Sequence, residues 1–450
     1  MGGAGLAVRK TVGVLLKRYW LNLPDLHRRH GLIAAIVIDS LGTGLFVPFA
    51  VIYATMVARI SLSLTGQILS LATAMALLVA PIAGILSDHW GARRLVVTGD
   101  LLQATGFAGY LLISQPWQLF VCALCVAAGN QMFWAANGAF LAQVGQPAER
   151  DRWFALQGAC RSAGLGGGAA LAGTVVAAAG VVGYSWLAAL NALSFVVAAA
   201  LIARVKLDGL EREQAPDEPQ AGLESRSRHS ITFQDARVYR LVLEDLPFLG
   251  FTATNVAFSL IVLSSTLALP IYIVGVLRQP AWVVGVLFSM NAALVALAQM
   301  AVVRWTERYR RTRALAFAAG LFGMSFLTLA SLSYLPKALP TSRGWALVGL
   351  IAAVGVYTLA ELVMAPLKNA LVADAAPDAL RGRYMAFYHL SWSVASAGAP
   401  MLLMGLLAEG PLWLWLALAA VSYLALLALV RLDALLPERA TRPRSQAGVE

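Results

Sequence analysis

Six ionisable side chains stand inside long, otherwise apolar runs of the sequence: Asp39, Asp100, Arg161, Glu361, Lys368 and His389. A charge in hydrocarbon costs roughly 2.5 to 3.5 kcal/mol on insertion scales, so such groups belong where a partner, water or a ligand offsets that cost. A carboxyl group held there can take up a proton and release it when water or a cation approaches, which is the elementary step of proton-coupled exchange. Asp39 and Glu361 are the acids placed for this chemistry. Arg161 and Asp39 each lie about eight residues into their runs, at a common depth of about 12 Å, so the pair is either a structural ion pair or a proton acceptor tuned by a neighbouring cation. Lys368 stands about two helical turns beyond Glu361, with Pro366 between them, and either partners that acid or joins Asp374 further on. His389, between Tyr388 and Trp392, is either a substrate-facing, pH-responsive group or an imidazole satisfied by a nearby backbone.

These side chains must be positioned by membrane-spanning helices. Of 450 residues, 59% are hydrophobic and 13% charged, far from the roughly 45 to 50% and about 25% of a soluble domain. Apolar runs of 18 or more residues predict twelve spans: 31–58, 65–87, 94–114, 117–144, 153–179, 183–203, 247–275, 281–303, 314–335, 344–372, 383–408 and 411–431. The chain therefore reads as an all-α membrane protein of two six-helix bundles, 31–203 and 247–431. They are joined by a charged, proline-containing linker over 204–246 and followed by a tail at 432–450. The first thirty residues lack the apolar core and cleavage site of a secretory signal, and 8–23 reads as an amphipathic helix on the lipid surface.

The net charge of +11 is spread over short polar gaps rather than gathered in a patch, which argues against nucleic acid. With the N-terminus inside, 28 of the 34 Lys and Arg fall on one side, and that asymmetry places both termini in the cytoplasm of a cell that carries the protein in its inner or plasma membrane. Cys122, Cys125 and Cys160 all lie in apolar runs and read as packing. No nucleophile–base pair, metal-ligand cluster or cofactor motif stands out, so neither an enzyme nor a cofactor is expected. Arg150 to Ala155 resembles Arg381 to Ala386 at an offset of 231 residues, and Asp88 has a counterpart in Glu307, which is the internal symmetry of a repeat-built carrier.

Between the second and third spans stands GILSDHWGARR, from Gly84 to Arg94. Asp88 ends a helix at the membrane surface, Gly91 permits a tight turn, and Arg93 and Arg94 can pair with carboxylates or helix ends. This stretch resembles the loop signature of the major facilitator superfamily. The resemblance implies a cytoplasmic gate formed by Gly84, Asp88, Gly91, Arg93, Arg94 and, six residues on, Asp100. DSLGTGLFVP in the first span and ELVMAP in the tenth, with an acid in each, are similar to the twelve-helix drug:proton antiporter branch. That resemblance implies proton-coupled export of small amphiphilic compounds. The run GLGGGAALAG at 164–173 departs from that branch's fifth-helix signature and reads as close helix packing. Uptake of a metabolite by a facilitator or symporter therefore stays open beside export. The expected cavity wall is Phe46, Tyr53, Asn130, Trp134, Tyr357, Tyr388, His389 and Trp392, with Phe46 and Tyr53 on the same helix face as Asp39. The partners expected are lipids, protons and a small-molecule substrate, bound by a monomer.

Overall fold

The computed structural model describes residues 30–144, 150–205, 242–334, 340–377 and 380–442. The expected surface helix at 8–23, most of the linker and the end of the tail lie outside these residues. Twelve long helical segments follow one another: α1 His30–Val57, α2 Leu62–Leu77 with Val79–Trp90, α3 Ala92–Tyr110, α4 Pro116–Val144, α5 Arg150–Ala179 and α6 Val181–Ala203, then α7 Leu246–Val276, α8 Trp282–Thr306, α9 Arg311–Leu332, α10 Pro340–Ala375, α11 Arg381–Glu409 and α12 Pro411–Leu432. Ten are long and apolar enough to cross a membrane, and α2, bent by 41° at Leu78, makes an eleventh if its two pieces count as one span. The helix α3 carries Arg93, Arg94 and Asp100 within 19 residues, and these charges lower its apolar character. No strand occurs among the described residues.

Two irregular helix ends show why the chain folds as a repeat. At Pro48 the α1 helix tightens to a 3₁₀ turn over Val47–Phe49, since proline lacks the donor and crowds the preceding turn, and further on it widens to a π turn over Tyr53–Val57. Near Pro270, α7 breaks at Ala268 and ends in a π turn over Tyr272–Val276. Both runs end on an arginine in the left-handed region, Arg59 (φ 55°) and Arg278 (φ 52°). The Tyr53 hydroxyl donates to the Tyr110 carbonyl at 2.7 Å, and the Tyr272 hydroxyl donates to the Leu329 carbonyl at 2.8 Å. The π turns, the tyrosines, the accepting carbonyls and the two arginines are each related by an offset of 219 residues, the spacing that also relates Asp88 to Glu307, while the two prolines are 222 apart.

Small residues decide which helices touch. Along the 164–173 run, Gly164 and Gly168 turn to α1, where an added Cβ on Gly168 would strike the Leu41 carbonyl and lie 2.8 Å from the Leu45 nitrogen. Gly166 and Gly173 turn the other way, to Ala292 and Trp282 of α8, and the Ser289 hydroxyl donates to the Gly166 carbonyl at 2.9 Å. The expectation of close packing through small residues describes this stretch well. The first piece of α2 packs on α11, where Gly66 lies against the Pro400 carbonyl and Met404, and the Met401 amide donates to Ser70 Oγ at 2.8 Å. The second piece, Val79–Trp90, instead packs on α3 and α4. Helices α1 to α6 thus meet α7 to α12 tightly at the end bearing Arg59 and Arg278, while the Asp88 end of α2 stays with its own set.

Candidate functional site

Three cavities meet at Arg161. The largest, about 1080 Å³, is walled by α1, α2, α3, α4, α5, α6, α7 and α11 and includes Asp39, Asn130, Trp134, Arg161, His389 and Trp392. A second, about 410 Å³, lies towards α7, α8 and α10 and includes Thr43, Arg161, Asn291, Tyr357 and Glu361. The third is water-sized, about 20 Å³, and is lined by Asp39, Ser40, Asp100, Asn137, Gln157 and Arg161 among others. The guanidinium of Arg161 sits over the Trp134 ring, 4.9 Å from its centroid, in the range of a cation–π contact. Trp134 Nε1 in turn donates to Asn130 Oδ1 at 3.1 Å, one turn earlier on α4. A reciprocal amide pair, Asn137 with Gln157 at 3.2 and 3.0 Å, ties α4 to α5 just beyond. Among the described residues no ion pair joins Arg161 to Asp39; the two share cavity walls instead.

Glu361 is held by a neutral donor. Asn291 of α8 donates its amide to Glu361 Oε2 at 2.9 Å and to Thr358 Oγ1 at 3.0 Å. Lys368, lower on α10, lies 5.8 Å from the Trp392 ring centroid. Asp374 pairs with Arg311 at 2.7 Å. An amide partner leaves a carboxyl group free to exist in either protonation state, because an amide can donate to the anion or accept from the acid.

Not every expected wall residue reaches a cavity. Phe46 and Tyr53 share a face with Asp39, as their spacing requires, but above Asp39 that face meets α3: both rings are buried, Phe46 against Phe107 and Tyr110 with centroids 5.5 and 5.1 Å away and Tyr53 against Tyr110 at 5.8 Å. Tyr388 is buried as well, stacked on Phe251 at 5.7 Å and donating to Asn255 Oδ1 at 2.8 Å. Asn130, Trp134, Tyr357, His389 and Trp392 do line the cavities. Asp100, expected beside the loop, is fully buried on α3 and faces Asp39 and Arg161 across the small cavity. Of the loop itself, Asp88 and Arg94 are exposed, Gly91 turns the chain at φ 84°, and Arg93 donates to the Val205 carbonyl at 2.9 Å; Gly84 has open space around it. Sequence reasoning missed Asn291 and Ser40. An amide isolated in the apolar run of α8 was the available signal for the first.

The sequence profile of the Major Facilitator Superfamily matches residues 32–364 and 284–449. The chain belongs to that superfamily. It is a multi-pass membrane transporter. It is 27% identical over 316 residues to Multidrug resistance protein MdtH of Edwardsiella ictaluri, covering 70% of each chain. It is 24% identical over 352 residues to the Salmonella typhimurium protein of the same name, covering 77% of this chain and 79% of that one. Among solved structures, a mutant of the peptide transporter POT in complex with alafosfalin superposes with a TM-score of 0.66 at 18% identity, over 90% of this chain and 93% of that one. A mutant of the nucleoside transporter NupG gives 0.70 at 12% identity, over 89% and 98%. These two likenesses concern the fold.

Proposed function

We propose that this transporter exports small amphiphilic compounds in exchange for protons, by alternating access between bundles 31–203 and 247–431. Twelve spans and cytoplasmic termini complete this reading, with the linker at 204–246, the tail at 432–450 and the Asp88 loop on the inner side. Tight packing at the Arg59 and Arg278 end, with the second piece of α2 turned away from α11, then corresponds to a state open to the cytoplasm. The observation that carries the proposal is the placement of Arg161 on the wall of all three cavities described, between Asp39 and the amide-held Glu361. A cationic or flat substrate over Trp134 competes with Arg161 for the same ring and shifts the charge balance at both acids. Asp39 and Glu361 are the coupling acids of this scheme, Arg161 and Lys368 their charge partners, and the relatives named for multidrug resistance agree with the substrate class. The Asp88 loop, with Arg93 and Arg94, acts as the cytoplasmic gate.

The test uses proteoliposomes and a lipophilic cation. Glu361→Gln and Asp39→Asn should abolish transport driven by a pH gradient while leaving the protein folded; rates equal to those of the unmodified protein would sink the scheme. The polar wall of the large cavity, which includes Thr43, Thr73, Gln103, Asn130 and Gln131, supports a second reading, proton-linked uptake of a hydrophilic metabolite. Accumulation of substrate on the acidic side favours export, and accumulation away from it favours uptake.

A further inference from the structure

The water-sized cavity walled by α1, α3, α4, α5 and α6 sets Asp39 beside Ser40 and Asp100, two residues that neither the export scheme nor the Asp88 gate uses. Asp100 is fully buried, and no protein group hydrogen-bonds to either of its carboxylate oxygens. Asp39 Oδ1 and the Ser40 hydroxyl are likewise buried without a partner. All three side chains line the same cavity of about 20 Å³, and about 10 to 15 Å³ suffices for one water-sized occupant. Buried polar atoms without partners are costly, roughly 1 to 3 kcal/mol each, and several around one small void signal an occupant rather than a packing accident.

The charges narrow the choice. Asp39, Asp100 and Arg161 are the only ionisable side chains on the cavity wall, and with both carboxylates ionised they carry one negative charge in excess. One monovalent cation balances that excess, whereas a divalent ion would leave a buried positive charge. Hard cations take oxygen ligands, and two carboxylates with a hydroxyl supply them, while Arg161 is held to one side by the Trp134 ring. The site is built on helices packed through Gly164 against Ser40, so its oxygens are set by backbone rather than by loops.

We infer that Asp39, Ser40 and Asp100 form a binding site for a single sodium ion in the N-terminal set of helices. The inference shares Asp39 with the proton-coupling scheme but does not need it, since an ion can occupy the site whichever gradient drives transport. Its test is equilibrium binding of radioactive sodium to the purified full-length protein in detergent, with choline as the control cation. The wild-type protein should bind sodium saturably, one ion per chain, without displacement by choline. Asp100→Asn should weaken binding by at least about tenfold, as expected from loss of a charged ligand, and Ser40→Ala, a small change that folding tolerates, should weaken it by less. Glu361→Gln should bind sodium like the wild type while losing transport, so that failure of one reading is separable from failure of the other. Absence of saturable sodium binding in the wild type, or binding unchanged in both Asp100→Asn and Ser40→Ala, would overturn the assignment.

Discussion

Arg161 and Arg311 show how differently two arginines can serve one fold. Arg161 is half-buried, bound to an aromatic face and shared by three cavities, so its charge remains available to the acids around it. Arg311 is locked: it pairs with Asp374 at 2.7 Å and donates to the Ala440 carbonyl at 3.0 Å, with both charged side chains nearly buried. Removing one member of such a pair leaves the other charged and desolvated. Arg311→Ala should therefore destabilise the protein by about 3 to 5 kcal/mol, read as a fall in the thermal unfolding midpoint in detergent, and Arg311→Lys should recover part of the loss. The neighbouring Arg310 and Arg313 share Asp433, at 2.9 and 3.1 Å, and Thr312 hydrogen-bonds the same carboxylate. Together they fasten the start of α9 to the end of α12, much as Arg93 fastens α3 to the end of α6. Residue types and positions announced the buried acids, but their partners were not legible: that Glu361 meets Asn291, and Asp374 meets Arg311, depends on which helices become neighbours.

Among the helices, α5 has the most demanding role, because its two glycine faces contact different partners. Gly168 admits the backbone of α1, while Gly167 has nothing within 4 Å of an added Cβ. Gly168→Val should cost about 1 to 3 kcal/mol through overpacking, with loss of monodisperse protein in size-exclusion chromatography, and Gly167→Ala should leave the elution profile and unfolding midpoint unchanged. Equal effects at the two positions would show that composition rather than contact governs the helix. The π turns that close α1 and α7 are a second element-level feature. They follow a proline in both repeats, and each delivers a tyrosine hydroxyl to the carbonyl of the third helix of its set. The sequence contained their signal, a tyrosine six residues before an arginine at two places 219 apart, yet a helical run of apolar residues gives no hint that its ladder widens by one residue.

At the scale of the whole molecule, the contact of α2 with α11 makes a conformational prediction. An added Cβ on Gly66 would lie 2.7 Å from the Met404 Cβ and 2.5 Å from the Pro400 carbonyl, nearer than the roughly 3.5 to 4.5 Å that a disulfide spans, so the bridge requires α2 and α11 to ease apart by about 1 Å. In a background without Cys122, Cys125 and Cys160, a Gly66→Cys, Met404→Cys double variant should cross-link on oxidation, lose transport and regain it on reduction. Full transport by the cross-linked protein would show that this end does not open during the cycle. Membrane residence, the number of apolar runs, the scarcity of charges within them and the loop that names the superfamily were all set by sequence alone, because transfer into hydrocarbon and turn chemistry act on local composition. The face each helix presents was decided only by tertiary structure. Phe46, Tyr53 and Tyr388 have the spacing of cavity residues and became core, while Asp100, close in sequence to a surface loop, became the buried neighbour of Asp39. A helical period fixes which residues share a stripe, but only packing against other helices fixes whether that stripe meets lipid, a cavity or a neighbouring backbone.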